Sequence, residues 1–327
     1  MKQKVVIGLS VVLLVAAVIL IGRDLFRQSP SFTTTPCCGY EEASMKKMDS
    51  TLIGYKRIKV LETGLKDLSG IAVRANRIFV CGTREVAVYD TNGDRTGGFP
   101  TDSAATCIAV NSNTIFVGMG PSVTGFDLSG NIKVSLKSLK NKGYITSISS
   151  DNTYVYLADA NNKRVLKFTT AGAFVMEIGQ RDSLTGAPGF IVPSAYFDIS
   201  SGGFDDLWIA NPGRQEVENY TESGYMRSSW GKPSAEDNGF TGCCNPAHMA
   251  LLPDGSFVTY EKGIDKIKVF DAAGRFKCYV GGAGSFRGKP DFQLGKNNLV
   301  KDLATDTAGN IYVLDAYNRI NVFKPIV

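Results

Sequence analysis

The sequence predicts an all-β protein, a six-bladed β-propeller closed by its own N-terminal strand and preceded by one transmembrane helix. Three observations predict it. From residue 52 the chain is a series of short β-branched and aromatic runs separated by Gly, Asn and Asp, with no helical stretch of three turns. One form recurs six times: apolar strand, turn, apolar strand, polar turn, then an apolar strand ending in an aromatic. That aromatic falls at Tyr89, Phe126, Phe168, Tyr220, Phe270 and Phe323, at gaps of 37, 42, 52, 50 and 53 residues. A lone four-stranded sheet cannot bury both faces; six packed radially can.

The N-terminal element comes first. Lys2 and Lys4 precede seventeen apolar residues, Val5 to Ile21. That is the short end of a transmembrane span and slightly long for a signal-peptide core. Arg23, Asp24 and Arg27 follow without a small-x-small cleavage site, and no cysteine stands close enough behind for a lipid anchor. Residues 1–23 are therefore expected to be an uncleaved signal anchor, with a cleaved signal peptide as the alternative. The body is expected on the periplasmic or extracellular side. Residues 24–50 read as a polar linker carrying Cys37 and Cys38, and 51–327 as the propeller.

The repeats follow in order: 71–94, 108–131, 148–174, 197–225, 249–276 and 303–325. The sixth stops after three strands. The alternating segment YKRIKVLE (55–62) precedes the first repeat and is the missing strand. Its pairing there leaves no open sheet edge.

Three segments carry a family resemblance: VYLADANNKRVLKF (155–168), IYVLDAYNRINVF (311–323) and LWIANPGRQEVENY (207–220). Each has a strand ending in Asp or Asn, a turn carrying Asn or Arg, and a strand ending in an aromatic. They resemble the NHL repeat, and the resemblance spans about 52–327. Blades one and two depart from it, with Gly82 and Gly118 at the motif Asp. The chain has no Trp-Asp dipeptide, which disfavours a WD40 reading. NHL propellers include scaffolds, RNA binders and enzymes, so the resemblance implies a shape and leaves function to the site.

Composition narrows the functions. The net charge of +5 over 327 residues is too small to argue for nucleic acid. The single histidine, His248, excludes zinc or iron sites built from two or three His. There is no G-x-S-x-G and no Walker A motif: Ala283 stands where the latter needs its first Gly, and Pro290 follows Gly288-Lys289. Asp205-Asp206 reads as a turn. The connections 179–192, 231–246 and 281–299 are long and occur at one kind of joint, as do the turns between second and third strands. One rim therefore gathers the loops, the default binding face of a propeller. On it are expected Asn211, Arg214, Trp230, Lys232, Asn245, Glu261, Lys262 and Asp265. Arg214, Lys232 and Lys262 would suit an anionic ligand, with Glu261 and Asp265 countering them. Trp208 reads as core and Trp230 as loop-facing.

Cysteine is the sharpest chemical signal. Cys81, Cys107 and Cys278 lie in apolar strand patterns and read as small buried hydrophobes, with a Cys81–Cys107 bridge left open. Cys37-Cys38 and Cys243-Cys244 are adjacent pairs, the second within FTGCCNPAH (240–248). Neighbouring Cα atoms lie about 3.8 Å apart, short of the range disulfides prefer, so each pair is expected to bond elsewhere. Three readings stay open: a disulfide link between the pairs, a soft metal or Fe–S cluster held by the four thiolates with or without His248, or unrelated pairs. The expected function is a membrane-anchored module binding a protein partner or small anionic ligand on the loop-rich face, rather than an enzyme. Two alternatives stand beside it. One is a metal or Fe–S protein using Cys37, Cys38, Cys243 and Cys244. The other is a metal-dependent lactonase- or lyase-like enzyme with a site in the central channel.

Overall fold

The computed structural model describes residues 47–137, 142–202, 205–286 and 298–326. Among these, 24 strands form six four-stranded antiparallel sheets. Blades one to five hold β2–β5 (70–100), β6–β9 (107–137), β10–β13 (145–178), β14–β17 (199–230) and β18–β21 (248–281). Blade six is β22–β24 (300–325) plus β1 (Tyr55–Glu62), which pairs with β24 (Arg319–Pro325) from Tyr55↔Pro325 to Glu62↔Arg319. The first strands of the blades are β2 (Gly70–Arg74), β6 (Cys107–Val110), β10 (Ile145–Ser150), β14 (Ile199–Ser201), β18 (His248–Leu251) and β22 (Val300–Thr305). They touch one another in a closed cycle and so line the channel.

Radial packing places the apolar cores between blades. Six buried clusters each join two neighbouring blades, from Phe79 with Phe126 between blades one and two to Leu61 with Ile78 and Ile320 between six and one. All six strand-ending aromatics are buried in them. The hairpins after them close on a repeated device. Asp90 Oδ1 accepts the backbone N–H of Asn92, Gly93 and Asp94, and Gly93 sits at φ 100°, where a side chain would be strained.

Of the two expected departures from the repeat motif, Gly82 does stand at the motif position and has a steric reason. In blade two the register puts Met119 there, because Gly118 pairs with Cys107 as Ala158 pairs with Ser147. A Cβ on Gly82 would lie 2.7 Å from the carbonyl oxygen of Asp67, and one on Gly118 would run into the sulfur of Cys107. Blade one thus packs its connection at Asp67 and Leu68 where blades three to six carry Asp159, Asn211, Glu261 and Asp315.

Among the described residues no helix is long and apolar enough to cross a membrane. They include a 3₁₀ turn at Ser50–Leu52 and the one-turn α1 (Ala283–Phe286). The apolar run Val5–Ile21, the linker pair Cys37 and Cys38, and the Gly288-Lys289 segment lie outside the described residues.

Candidate functional site in the channel

The inner strands carry one column of equivalent residues: Gly70, Cys107, Ser147, Asp198, His248 and Asp302. Five pair in register with second-strand residues Cys81, Gly118, Ala158, Tyr260 and Leu314, and the carbonyl of the sixth, Asp198, accepts the N–H of Ala210. Members of the column reach forward to the next blade. Ser147 Oγ donates to Asp198 Oδ1 at 2.5 Å and accepts the Ile199 N–H at 3.3 Å. Asp198 Oδ2 accepts the Met249 N–H, and Asp302 Oδ2 the Ile71 N–H, both at 2.8 Å. Each carboxylate also caps its own following residue, Ile199 at 2.9 Å and Leu303 at 2.8 Å. The backbone thus holds both acids in place while lone pairs remain toward the channel.

His248 stands between them. Its Nδ1 is 3.7 Å from Asp198 Oδ2 and 3.8 Å from Asp302 Oδ1, and its buried Nε2 has no hydrogen-bond partner. One donor atom from each residue lies within 4.8 Å of the other two, the one such group of three among the described residues. A cation about 2–2.5 Å from each would fit the centre. Without one, the cluster holds protons. Burial pushes the Asp302 carboxyl up to about 7; His248 opposes this and Asp198 adds to it. Burial alone would lower the His248 pKa, but its interactions with Asp198 and Asp302 outweigh burial and raise it.

The cluster sits at a neck. His248 and Asp302 line a cavity of about 740 Å³ at one mouth of the channel, and Asp198 and Asp302 line the channel of about 310 Å³ below it. The mouth is walled by the connections into the inner strands, through Ser69, Thr106, Tyr144, Tyr196 and Asn298. It therefore opens on the rim where the long connections emerge. Tyr196 meets His248 edge-on at 5.6 Å between ring centres and accepts a hydrogen bond from Asn298. Lys262 Nζ lies 4.4 Å from the Tyr196 ring centre and donates to Ser194 at 3.2 Å. Lys301, also in the wall, donates to Asn318 at 2.9 Å, and burial lowers its pKa against the pull of Asp67 and Asp315.

Most residues expected on the binding rim have structural partners instead. Asn211 is buried, donates to Glu218 at 2.8 Å and accepts the Ile191 N–H at 3.0 Å, so it clamps the 179–192 connection. Asn245 is buried, donates to the Thr241 and Lys262 carbonyls and accepts the Lys262 N–H. Glu261 is fully buried against Lys268 at 2.5 Å and accepts the Thr241 N–H. Asp265 is buried and accepts the Tyr260 hydroxyl at 2.6 Å. The residue types suggested surface charge because sequence does not show the partners that make burial tolerable. Trp230 is not presented on the rim; it packs on Phe240 of the 231–246 connection and on Phe257 and Phe270 of blade five, at 4.9–5.7 Å between ring centres. Arg214 is half-buried and Lys232 exposed. Arg227 pairs with both Asp205 and Asp206, as a turn requires.

The described cysteines are free thiols. Cys81 and Cys107 are buried, and burial pushes both pKa values up. Cys278 is half-buried beside Gly54. Cys243 and Cys244 place their sulfurs 3.3 Å apart, unbonded, and the partners expected for them, Cys37 and Cys38, lie outside the described residues. They are not members of the His248 cluster. The two acids that are members were missed. The signal was present in the repeats, since aligning the inner strands puts both acids in the column of His248.

No family model and no curated protein matches this sequence. Solved propellers match its fold. A streptogramin B lyase structure aligns with TM-score 0.60 at 14% identity, over 85% of this chain and 100% of that one. A catalytically inactive histidine-to-alanine virginiamycin B lyase from Staphylococcus aureus, solved with quinupristin, aligns with TM-score 0.55 at 14% identity, over 83% and 100%. The WD40 propeller domain of Doa1 aligns with TM-score 0.54 at 9% identity, over 79% and 78%. At these identities the likeness shows the β-propeller fold.

Proposed function

We propose that this chain is a metal-assisted propeller enzyme, a lyase or hydrolase of a polar small molecule, with its site at the channel mouth. One observation carries the reading: Asp198, His248 and Asp302 occupy the same position in three consecutive blades and converge within 4.8 Å. Two carboxylates and an imidazole are a donor set for a divalent cation such as Mn²⁺, Ca²⁺ or Zn²⁺. A cation there would polarise a carbonyl or phosphoryl oxygen of a ligand in the cavity. Around it, Thr106, Tyr196 and Asn298 offer hydrogen bonds for orientation, and Lys301 supplies an amine whose lowered pKa suits proton transfer. The NHL-type repeats and the anchor at Val5–Ile21, with the propeller outside the cytoplasm, belong to the same proposal.

The test is calorimetric titration of Mn²⁺ and Ca²⁺ into chelator-stripped protein, followed by cation-dependent turnover of a lactone and ester panel. One stoichiometric site, lost in D198N, H248A and D302N while the circular dichroism is kept, is expected. No stoichiometric site, or one untouched by these changes, would overturn it. A second reading, a protein-binding module, rests on the long connections at the same rim, which buried Asn211 and Asn245 hold in fixed shape.

A further inference from the structure

The paired sulfurs of Cys243 and Cys244 are unlike the other described thiols. Cys81 and Cys107 are sealed in the interblade cores, where lack of access makes them inert. Cys243 is exposed and Cys244 buried directly behind it, their sulfurs 3.3 Å apart. A bond would bring the sulfurs to about 2.05 Å, so closure needs a movement of about 1.3 Å.

The loop around them holds this arrangement. Gln215 donates to the carbonyls of Phe240 and Gly242 on the N-terminal side. The Thr241 N–H is tied to Glu261. On the C-terminal side Asn245 is locked to the Lys262 backbone in both directions, and the Ala247 N–H reaches the Tyr260 carbonyl at 2.9 Å. Both flanks are pinned, so the backbone that carries the two thiols is held on either side.

We propose that Cys243 and Cys244 form a reversible dithiol–disulfide centre that exchanges with an external disulfide on the loop-rich face. The step balances. The Cys243 thiolate attacks one sulfur of RSSR, a mixed disulfide forms and RS⁻ leaves. The Cys244 thiolate then attacks the Cys243 sulfur, the Cys243–Cys244 bond forms and a second RS⁻ leaves. RSSR is reduced by two electrons, and the two thiol protons end on two RSH. Exposure fixes the order, because only Cys243 meets a partner from solvent. A bond between adjacent residues has Cα atoms about 3.8 Å apart, below the range of relaxed disulfides, so it is readily reduced and suits exchange rather than stapling. The inference is independent of the cation site and stands if that site fails.

The full chain in detergent, equilibrated anaerobically in buffers of reduced and oxidised glutathione, tests it. Free thiols are blocked with N-ethylmaleimide and the digest is mapped by mass spectrometry. The peptide holding both residues should pass from doubly alkylated to unalkylated, with a mass about 2 Da below that of the free dithiol peptide, while Cys81 and Cys107 react only after denaturation. In C244S the same peptide should instead accumulate one glutathione on Cys243. Three results would overturn the proposal: double alkylation at every ratio, stable glutathionylation of the wild-type pair, or a crosslink to Cys37 or Cys38.

Discussion

Asp302 gives the most direct handle on the channel cluster. Its carboxyl rises from an ordinary 3.8 to about 7 in the folded chain, chiefly through burial. An acid with a raised folded pKa binds more protons folded than unfolded. Its stabilising effect is therefore full below about pH 4 and lost as pH rises toward 7. His248, also raised, acts in the same direction. Over the part of this window between pH 5 and 8, linkage assigns Asp302 a loss of about 3 kcal/mol. Asn cannot ionise, so D302N should escape this loss. It forfeits one backbone acceptor, to Ile71 or Leu303, but at every pH equally. The assay is thermal unfolding of wild type and D302N in chelator at pH 5, 6, 7 and 8. At about 2–4 °C per kcal/mol for a domain of this size, Tm of D302N relative to wild type should climb by roughly 6–12 °C across the range. Adding Mn²⁺ at pH 8 should raise the wild type by about 2.7 kcal/mol at a hundredfold excess over Kd, and leave D302N unmoved. A Tm difference that stays flat from pH 5 to pH 8 would refute the argument that these acids share a dry, repulsive site.

Two further predictions concern the frame around the site. K268M leaves Glu261 charged and fully buried, so chemical denaturation should show a loss of about 3–5 kcal/mol, much of it recovered in E261Q/K268M. G118A forces a methyl onto the Cys107 sulfur and should cost about 1–3 kcal/mol, while C107A/G118A should be nearer wild type; a double-mutant cycle with no coupling would disprove the clash.

The propeller was largely legible because its signals are local and repeated. Strand β1 runs over 55–62 as the alternation predicts, and the aromatics that set the period are the ones buried between blades. The site was legible only in part. His248 stood out as the single histidine, yet its partners lie 50 and 54 residues away on other inner strands and look like ordinary strand-entry acids. Asn211, Asn245, Glu261 and Asp265 were misread as rim groups because a polar side chain in a loop pattern gives no sign of whether a partner waits inside. Trp230 was misplaced for the converse reason: its neighbours Phe240, from the 231–246 connection, and Phe257 and Phe270, from the next blade, are not visible in its own repeat.

The column Gly70, Cys107, Ser147, Asp198, His248, Asp302 has a consequence for how such a protein diversifies. Blades three to six each offer one seat at a shared axis, and those of Ser147, Asp198 and Asp302 are held by hydrogen bonds that largely involve backbone N–H groups. Chemistry can then be rewritten one codon per repeat, with no new loop and little change to the scaffold. S147D would bring a third acid to the centre, while Gly70, with the Cys107 backbone 3.1 Å from any added Cβ, and Cys107, buried in a core, are closed seats. The ring behaves as a dial with four open positions, in blades three to six, and two fixed by packing.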